Sequence, residues 1–494
     1  MGVGRLLALD DMPDCIWGDD DETIVYAQVI GDGKTRIFRF YLDPTKPPQS
    51  LATRIVSYYH ERDDLAAAPG FADRGALHDA IWSTIASVWP ECVVEPPSEL
   101  GTVIDLSSNE RGEATWRAYH EPLFEQYLSY LHGIQASELM PVHVEQPTPI
   151  VDISQLTFLS NLGGRGCSKK VSIQPSSTET GSRVGAGAVF VFKGVNFQTY
   201  LQVHDDDDKF ARVLVETWRR SSRLVAAMQP NPHIQAAPEM LVCLSPASSQ
   251  GKDNDTPGTV LVGHLSMFLS RGDLAAAIER ANSGEASISP QQKAAWCLDM
   301  AKAIDYTHNA MHTHHMDIKP GNFLIDDSGS LRLIDWEQSG APATTLAPEA
   351  DGTWDVCEEE QRSGDKDATA QAARPRLIYT KYTGPARRNM PDGGGRAPFN
   401  IWNVFPVWQA TCPRATELAE VFALGRTMWM LLAETVGEFD DVEHPDDMIT
   451  WPAGGAIAVS CIGMVTRCME KDPNSRPSAV EVVKFWEDEL GKLS

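Results

Sequence analysis

Near the start of the chain, apolar residues gather in two strand-like runs. Residues 24–29 (IVYAQV) and 36–42 (RIFRFYL) are rich in β-branched and aromatic side chains, and they flank Gly31-Asp32-Gly33-Lys34, which predicts a hairpin. Leu77, Ile81, Ile85 and Trp89 then recur every four residues, and Trp116, Tyr119, Leu123, Tyr127 and Leu131 every three or four. This spacing predicts two amphipathic helices, the second divided at Pro122. The stretch from Glu145 to Pro149, with two prolines, reads as a linker. Residues about 151–272 carry mostly strand-like runs and one charged helix near 208–228, whereas about 273–490 are helical in pattern. Two polar stretches interrupt them. Residues 248–258 separate the runs MLVCLS and TVLVGHL, and residues about 351–375 are so poor in large aliphatics that a mobile insertion is expected.

The chain has 494 residues, 42% of them hydrophobic, and its 42 Lys+Arg against 68 Asp+Glu give a net charge of -26. The length predicts about three domain-sized units. So acidic a chain lacks the broad cationic surface that neutralises phosphates, so no nucleic-acid partner is expected. No run approaches the roughly 18 apolar residues of a membrane span, so no membrane partner is expected either. The N-terminal MGVGRLLALDDMPD reaches acidic residues after a very short apolar run, unlike a secretory signal. Nine cysteines, an odd number without C-x-x-C pairs, predict reduced thiols and an intracellular protein, cytoplasmic or nuclear.

The chemistry concentrates in His315-Met316-Asp317-Ile318-Lys319-Pro320-Gly321-Asn322, followed by FLIDDSGSLRLIDWE. A helix precedes it, with Ser289 as N-cap, Pro290 at the first helical position and Gln292 at the capping-box position. After Asn322, FLI and LRLI flank the turn Asp327-Ser328-Gly329, which predicts a hairpin ending on Asp335. Asp317, Asn322 and Asp335 should therefore converge, and oxygen donors beside a lysine suit Mg²⁺ and phosphate oxygens.

The D-x-x-x-x-N spacing and the later Asp resemble the catalytic loop and D-F-G of the eukaryotic protein kinase family, a resemblance that covers about residues 155–490. It implies an α+β, two-lobed fold with a β-rich N-lobe (151–272) and a helical C-lobe (273–490). An additional N-terminal α/β region (1–150), in which no chemistry is legible, stands before it. ATP and Mg²⁺ are the implied cofactors, and phosphoryl transfer to Ser or Thr of a protein substrate is the implied reaction. By the same resemblance Asp317 is the catalytic base, Lys319 contacts the transferring phosphoryl group, and Asn322 and Asp335 hold metal. The place of Lys319, two residues after Asp317, resembles the Ser/Thr-specific version. Phe190-Val191-Phe192-Lys193 resembles the V-A-I-K strand, which makes Lys193 a ligand of the ATP phosphates. Gly164, Gly166 and Val171 align with the glycine-rich loop as G-x-G-x-x-K-x-V, and Lys169 stands where the third glycine would be. The helix near 208–228 should supply a glutamate to Lys193. Glu216, the only acid there after the Asp205–Asp208 run, is carried over for that role beside the alternative of a solvated surface residue. Downstream, Glu420 to Gly425 resembles D-x-W-S-x-G, and Arg476 resembles the arginine that pins the activation segment.

Several positions depart from the family. Met316 replaces the arginine of H-R-D, Trp336 and Glu337 replace the last two residues of D-F-G, and Glu420 replaces an aspartate. These departures support an alternative, a catalytically weak or inactive kinase-fold (pseudokinase) module that binds nucleotide or protein. Two segments compete as the end of the activation segment, Ala347-Pro348-Glu349 and Tyr382-Thr383-Gly384-Pro385-Ala386; the second, nearer Glu420, is preferred. His312, His314 and His315 lack the matched ligands of a zinc site, and His315 reads as a packing histidine of the loop.

Overall fold

The computed structural model describes residues 16–19, 22–31, 34–43, 47–61, 70–94, 101–109, 113–141, 148–162, 168–173, 188–195, 197–203, 209–235, 237–245, 259–339, 347–349, 354–358, 377–381, 412–435, 450–452 and 457–493. The chain divides into two compact units, Met1–Ala227 with Ala237–Phe268, and Met228–Ala236 with Leu269–Ser494. The first is β-rich and the second mainly helical, the α+β, two-lobed class that the sequence predicts.

The first unit holds two sheets. Strands β1 (Ile16–Gly18), β2 (Ile24–Gly31), β3 (Lys34–Tyr41), β4 (Thr102–Ser108) and β5 (Ala114–His120) form the first, in that order. The expected hairpin forms, with Gly31 opposite Lys34. Strands β3 and β4 are parallel, and the crossover between them contains α1 (Leu51–Tyr59) and α2 (Arg74–Val94). The four-residue pattern on α2 buries Leu77, Ile81, Ile85 and Trp89 against Val25, Ala27, Phe38, Phe40 and Ile104 of the sheet. The second predicted helix is corrected in its first half. Trp116 and Tyr119 belong to β5, which pairs antiparallel with β4, and α3 (Leu123–Leu131) starts only after Pro122. The three-residue spacing of Trp116 and Tyr119 mimics a helical face, but pairing with β4 decides for the strand, on which the two side chains leave opposite faces.

The second sheet has the order β6-β10-β11-β9-β8-β7. Its strands are β6 (Ile150–Asp152), β7 (Leu156–Asn161), β8 (Ser168–Ile173), β9 (Val189–Gly194), β10 (Met240–Leu244) and β11 (Val260–Met267). Helices α4 (Ala136–Leu139), α5 (Phe197–Val203) and α6 (Lys209–Ala227) complete the unit. One core joins Phe190, Phe192, Leu241 and Leu265 of this sheet to Val215 and Trp218 of α6 and to Phe124, Tyr127 and Leu131 of α3. Residues on both sides of position 150, where the sequence suggests a boundary, therefore share one interior. Phe158 packs against this core and also against that of the first sheet, while Leu201 of α5 joins Trp17, Tyr26, Ile37 and Val103.

The second unit begins with α7 (Leu274–Asn282), capped by Asp273, and α8 (Pro290–Asp305). The expected N-cap on α8 is present, with Ser289 Oγ accepting the Gln292 N–H at 3.1 Å. The hairpin β12 (Phe323–Ile325) and β13 (Leu331–Leu333) follows. Helix α9 (Ala415–Ala433) is buried on nearly every side, as a central helix must be, and α10 (Val459–Cys468) and α11 (Ala479–Leu493) close the unit. A capping box opens α11, where Ser478 and Glu481 exchange hydrogen bonds at 2.8 and 3.3 Å. The expected insertion at about 351–375 contains strand β14 (Trp354–Glu358), paired with β15 (Leu377–Lys381); its residues 351–353 and 359–375 lie outside the described residues. No helix among the described residues is long and apolar enough to cross a membrane.

Candidate active site

The loop between α8 and β12 is held in place mainly through its backbone. A π-helical turn, Tyr306–Ala310, ends α8 and brings His308 inward. His308 Nε2 lies 2.5 Å from Glu420 Oε2 on α9, and the other carboxylate oxygen accepts the Met316 N–H at 2.6 Å. Glu420 is wholly buried. Burial alone would raise its pKa, but the His308 hydrogen bond and the adjacent His308 and His314 rings outweigh it and hold the carboxyl below its usual range. His315 Nε2–H donates to Ile334 O at 2.7 Å and Nδ1 accepts the Asp317 N–H at 3.3 Å, which is the neutral tautomer. Burial likewise pulls His315 below the ordinary imidazole range, against the opposite pull of Glu420, Asp317 and Asp335. Trp336 packs edge-on to this ring at 4.7 Å. His314 packs against His308 with ring centroids 4.8 Å apart and the planes tilted by 49°, so two of the three clustered histidines serve as packing groups.

Asp317 emerges from this support with its side chain 29% exposed. One carboxylate oxygen accepts from Lys319 Nζ at 2.7 Å and from Asn322 Nδ2 at 2.9 Å, and Asn322 Nδ2 also binds the Asp317 carbonyl at 2.7 Å. The Ile334 N–H donates to Asn322 O at 2.9 Å, so the β12–β13 hairpin delivers Asp335 to the same neighbourhood. Met316 and Asp335 hold φ of 68° and 70°. Left-handed backbone at two non-glycine residues is the kind of strain that persists where surrounding contacts enforce it. The expected grouping of Asp317, Lys319, Asn322 and Asp335 is thus present within one unit. Asp317, Asn322 and Asp335 offer hard oxygen donors, a set that suits Mg²⁺.

Of the two segments that compete as the end of the activation segment, the structure shows the first one meeting Arg476. Arg476 and Glu349 form a buried bidentate pair at 2.6 and 3.0 Å, both side chains 0% exposed. Arg476 also donates to Leu418 O and Glu470 O. Ala347-Pro348-Glu349 therefore holds the position facing Arg476, and residues 382–386 lie outside the described residues. Nearness to α9 along the chain was a poor guide, because a buried arginine needs its carboxylate in space rather than in sequence.

In the first unit Lys193 stands on β9, half-buried, with His264 of β11 and Ser168 of β8 as its strand partners. Strands β9 and β11 approach closely just beyond it. A Cβ on Gly194 would meet Val262 O at 2.2 Å, and one on Gly263 would meet Lys193 O at 2.8 Å. Gly164 and Gly166 lie outside the described residues. Val171 is fully buried opposite Phe190, on the sheet face that Lys193 does not share, so the structure does not bring these two expected ATP-binding residues together. Lys169 is no substitute for a loop glycine. It is a strand residue, 2% exposed, whose Nζ donates to Gln28 Oε1 at 2.7 Å, Asn161 Oδ1 at 3.1 Å and Gln198 Oε1 at 3.2 Å. Glu216 points outward, 62% exposed and 3.9 Å from Arg219, while Ala211, Val215, Trp218 and Ser222 form the inward face of α6. It takes the solvated position that was its alternative reading.

Residues 264–353 match the family model of the protein kinase domain, a stretch that includes the whole Asp317–Asp335 grouping. The chain carries a protein-kinase-superfamily domain. Over 78 residues, 15% of the chain, it is 37% identical to the LRR receptor-like serine/threonine-protein kinase EFR of Arabidopsis thaliana, covering 7% of that protein. Over 177 residues, 36% of the chain, it is 24% identical to the serine/threonine-protein kinase CHK1 of Saccharomyces cerevisiae, covering 28% of that protein. The chain thus aligns with less than a third of either relative. Beyond the motif, the loop relies on His308, which spacing does not single out and whose one local cue is its place one turn from the end of α8. Glu349 stands in the Ala347-Pro348-Glu349 signature that the sequence offers, whereas the role of Lys169 as a tie within the first unit has no local cue.

Proposed function

We propose that the protein transfers the γ-phosphoryl group of ATP to Ser or Thr hydroxyls of a protein substrate. The observation that carries this reading is the Asp317 carboxylate, fixed by Lys319 and Asn322 yet open on one side. In that position its free oxygen orients an incoming hydroxyl and takes up its proton, while Lys319 stands ready to offset charge on the transferring group. Asn322 and Asp335 would hold Mg²⁺, which when bound neutralises phosphate charge. Lys193 is the cation of the first unit that the reading assigns to the ATP phosphates. Both relatives are named as serine/threonine kinases, and the Asp317-Ile318-Lys319-Pro320 order agrees with that class. Free thiols at Cys243, Cys297, Cys412, Cys461 and Cys468 fit an intracellular setting.

One observation favours a second reading, a module that binds nucleotide or protein and transfers phosphate poorly. The only acid on α6 faces solvent, so α6 brings no carboxylate to Lys193. Radiolabelled transfer from Mg²⁺-ATP to a generic basic protein separates the two. Incorporation that falls at least a hundredfold in both Asp317→Asn and Asp335→Asn supports the enzyme. Nucleotide-dependent thermal stabilisation with no incorporation supports the module, and incorporation unchanged in both variants overturns the assigned roles.

A further inference from the structure

Helix α3 follows the first sheet in the chain and sets its aromatic side chains against the segment that leaves β9. Tyr127 is buried, and its hydroxyl donates to the Val195 carbonyl at 2.8 Å, two residues after Lys193. Burial pushes the phenol above its ordinary range, so it stays protonated as that donor. Its ring lies 5.6 and 5.5 Å from those of Phe197 and Tyr200 on α5. The next helix, α4, meets α6. The Glu138 carboxylate accepts from Arg219 at 3.1 to 3.3 Å through both oxygens, and one of these also accepts from Arg223. Arg212, nearer the start of α6, lies over the Tyr130 ring of α3 at 5.2 Å. We propose that residues 123–139 form a clamp on the end of β9 and on α6, with Tyr127 and Glu138 as its positioning residues, so that nucleotide binding depends on the N-terminal region. The proposal rests on the reading that assigns Lys193 to the ATP phosphates.

Each grip restrains a particular movement. Arg219 and Arg223 stand one turn apart on α6, so a single carboxylate that holds both resists sliding and rotation of the helix, and without it the two cations repel. An exposed ion pair alone contributes little. Here the Glu138 side chain is 26% exposed, and the adjoining Leu139 is buried in the same core as Val215 and Trp218 of α6, so α4 is itself fixed. At the other grip Val195 is 1% exposed, so water cannot replace the Tyr127 hydroxyl. Phe190 and Phe192 of β9 share that core as well. Close packing passes a shift of α6 or of residue 195 to the strand that carries Lys193.

The test uses the full chain with Tyr127→Phe, with Glu138→Lys, and with the charge swap that adds Arg219→Glu and Arg223→Glu to Glu138→Lys. It reads ATP affinity by direct titration, KM for ATP, kcat, thermal unfolding and amide hydrogen exchange in α5 and α6. Glu138→Lys sets a third cation beside two guanidinium groups. It should speed exchange in α6 and weaken ATP binding on the order of tenfold each, raising KM more than it lowers kcat. The swap should recover most of both losses. Tyr127→Phe should speed exchange in α5 and weaken ATP binding about threefold. Exchange in α6 that stays unchanged in Glu138→Lys overturns the clamp, as does a loss of affinity that follows melting temperature alone across the series. Lys193→Met separates this from the parent reading. If it leaves ATP binding unchanged, the role of Lys193 fails and the exchange series alone decides the clamp. If it abolishes binding while Tyr127→Phe and Glu138→Lys bind ATP as wild type does, the clamp fails and the role of Lys193 stands.

Discussion

Replacing Lys169 by methionine keeps the length of the side chain and removes its charge. The ammonium donates to amide oxygens from three separate segments, Gln28 on β2, Asn161 on β7 and Gln198 on α5. Gln28 and Gln198 are each 2% exposed, so water cannot replace the lost donor there, whereas half-buried Asn161 can rehydrate. Two buried acceptors left without a donor cost about 1–3 kcal/mol each, and sparing the desolvation of an ammonium returns part of that. The net is a destabilisation of about 3 kcal/mol, which for a unit of this size lowers Tm by about 6–12 °C. The assay is thermal unfolding of the full chain, followed by calorimetry, for Lys169→Met, Gln28→Leu and the double variant. A coupling energy above about 1 kcal/mol between the two positions is expected, because they share a bond and little else. Strictly additive effects, or an unshifted transition in Lys169→Met, would show that this cation does not tie the first sheet to β7 and β8.

Two further outcomes follow from the geometry. Glu349→Gln leaves the Arg476 charge buried against carbonyls alone, so a loss of about 3–5 kcal/mol is expected in chemical unfolding; a change below about 1 kcal/mol would refute the pairing as an anchor. The second concerns acid. His264 in the folded chain titrates near 3 against 6.5 when unfolded, so the unfolded chain takes up a proton that the native one refuses. Stability is therefore complete above about pH 6.5 and declines as pH falls toward 3, by up to about 2 kcal/mol at pH 5. His264→Gln should flatten the decline between pH 7 and 5, and an identical pH profile in the two proteins would contradict it. Glu420 acts lower on the scale, because its depressed pKa contributes stability above the ordinary carboxyl value that is lost only as pH drops below it.

The parts of the site that sequence revealed are those whose partners lie close along the chain. Asp317, Lys319 and Asn322 span six residues, and the β12–β13 turn carries Asp335 back by a hairpin whose ends are written in Asp327-Ser328-Gly329. Cap residues at Ser289 and Ser478 are equally local. What escaped the sequence depends on distant partners. Lys169 meets Gln28 from 141 residues away, and Arg476 meets Glu349 from 127. No spacing rule encodes such pairs, which is why spacing aligns Lys169 with a loop glycine and favours the segment at 382–386. Val171 failed for another reason. A glycine-rich alignment that is off by one residue moves a strand side chain to the opposite face, and here the register with Phe190 decides. The same two-residue alternation separates β5 from the helix that Trp116 and Tyr119 imitate.

The methionine at 316 then takes on a definite meaning. An arginine at that position would act through its side chain, yet every contact that fixes the loop here runs through the main chain or through neighbours. Glu420 accepts the Met316 N–H, His315 binds Ile334 O and the Asp317 N–H, and Asn322 holds the Asp317 carbonyl. Met316 itself is buried and its φ is positive, a conformation that costs about 1–2 kcal/mol for a residue with a Cβ. A charge-assisted hydrogen bond to a buried carboxylate returns about 1.5–3 kcal/mol, enough to hold that turn without help from the side chain. The placement of Asp317 thus rests on the Met316 backbone N–H and on neighbouring groups, with no polar contact required of the residue 316 side chain.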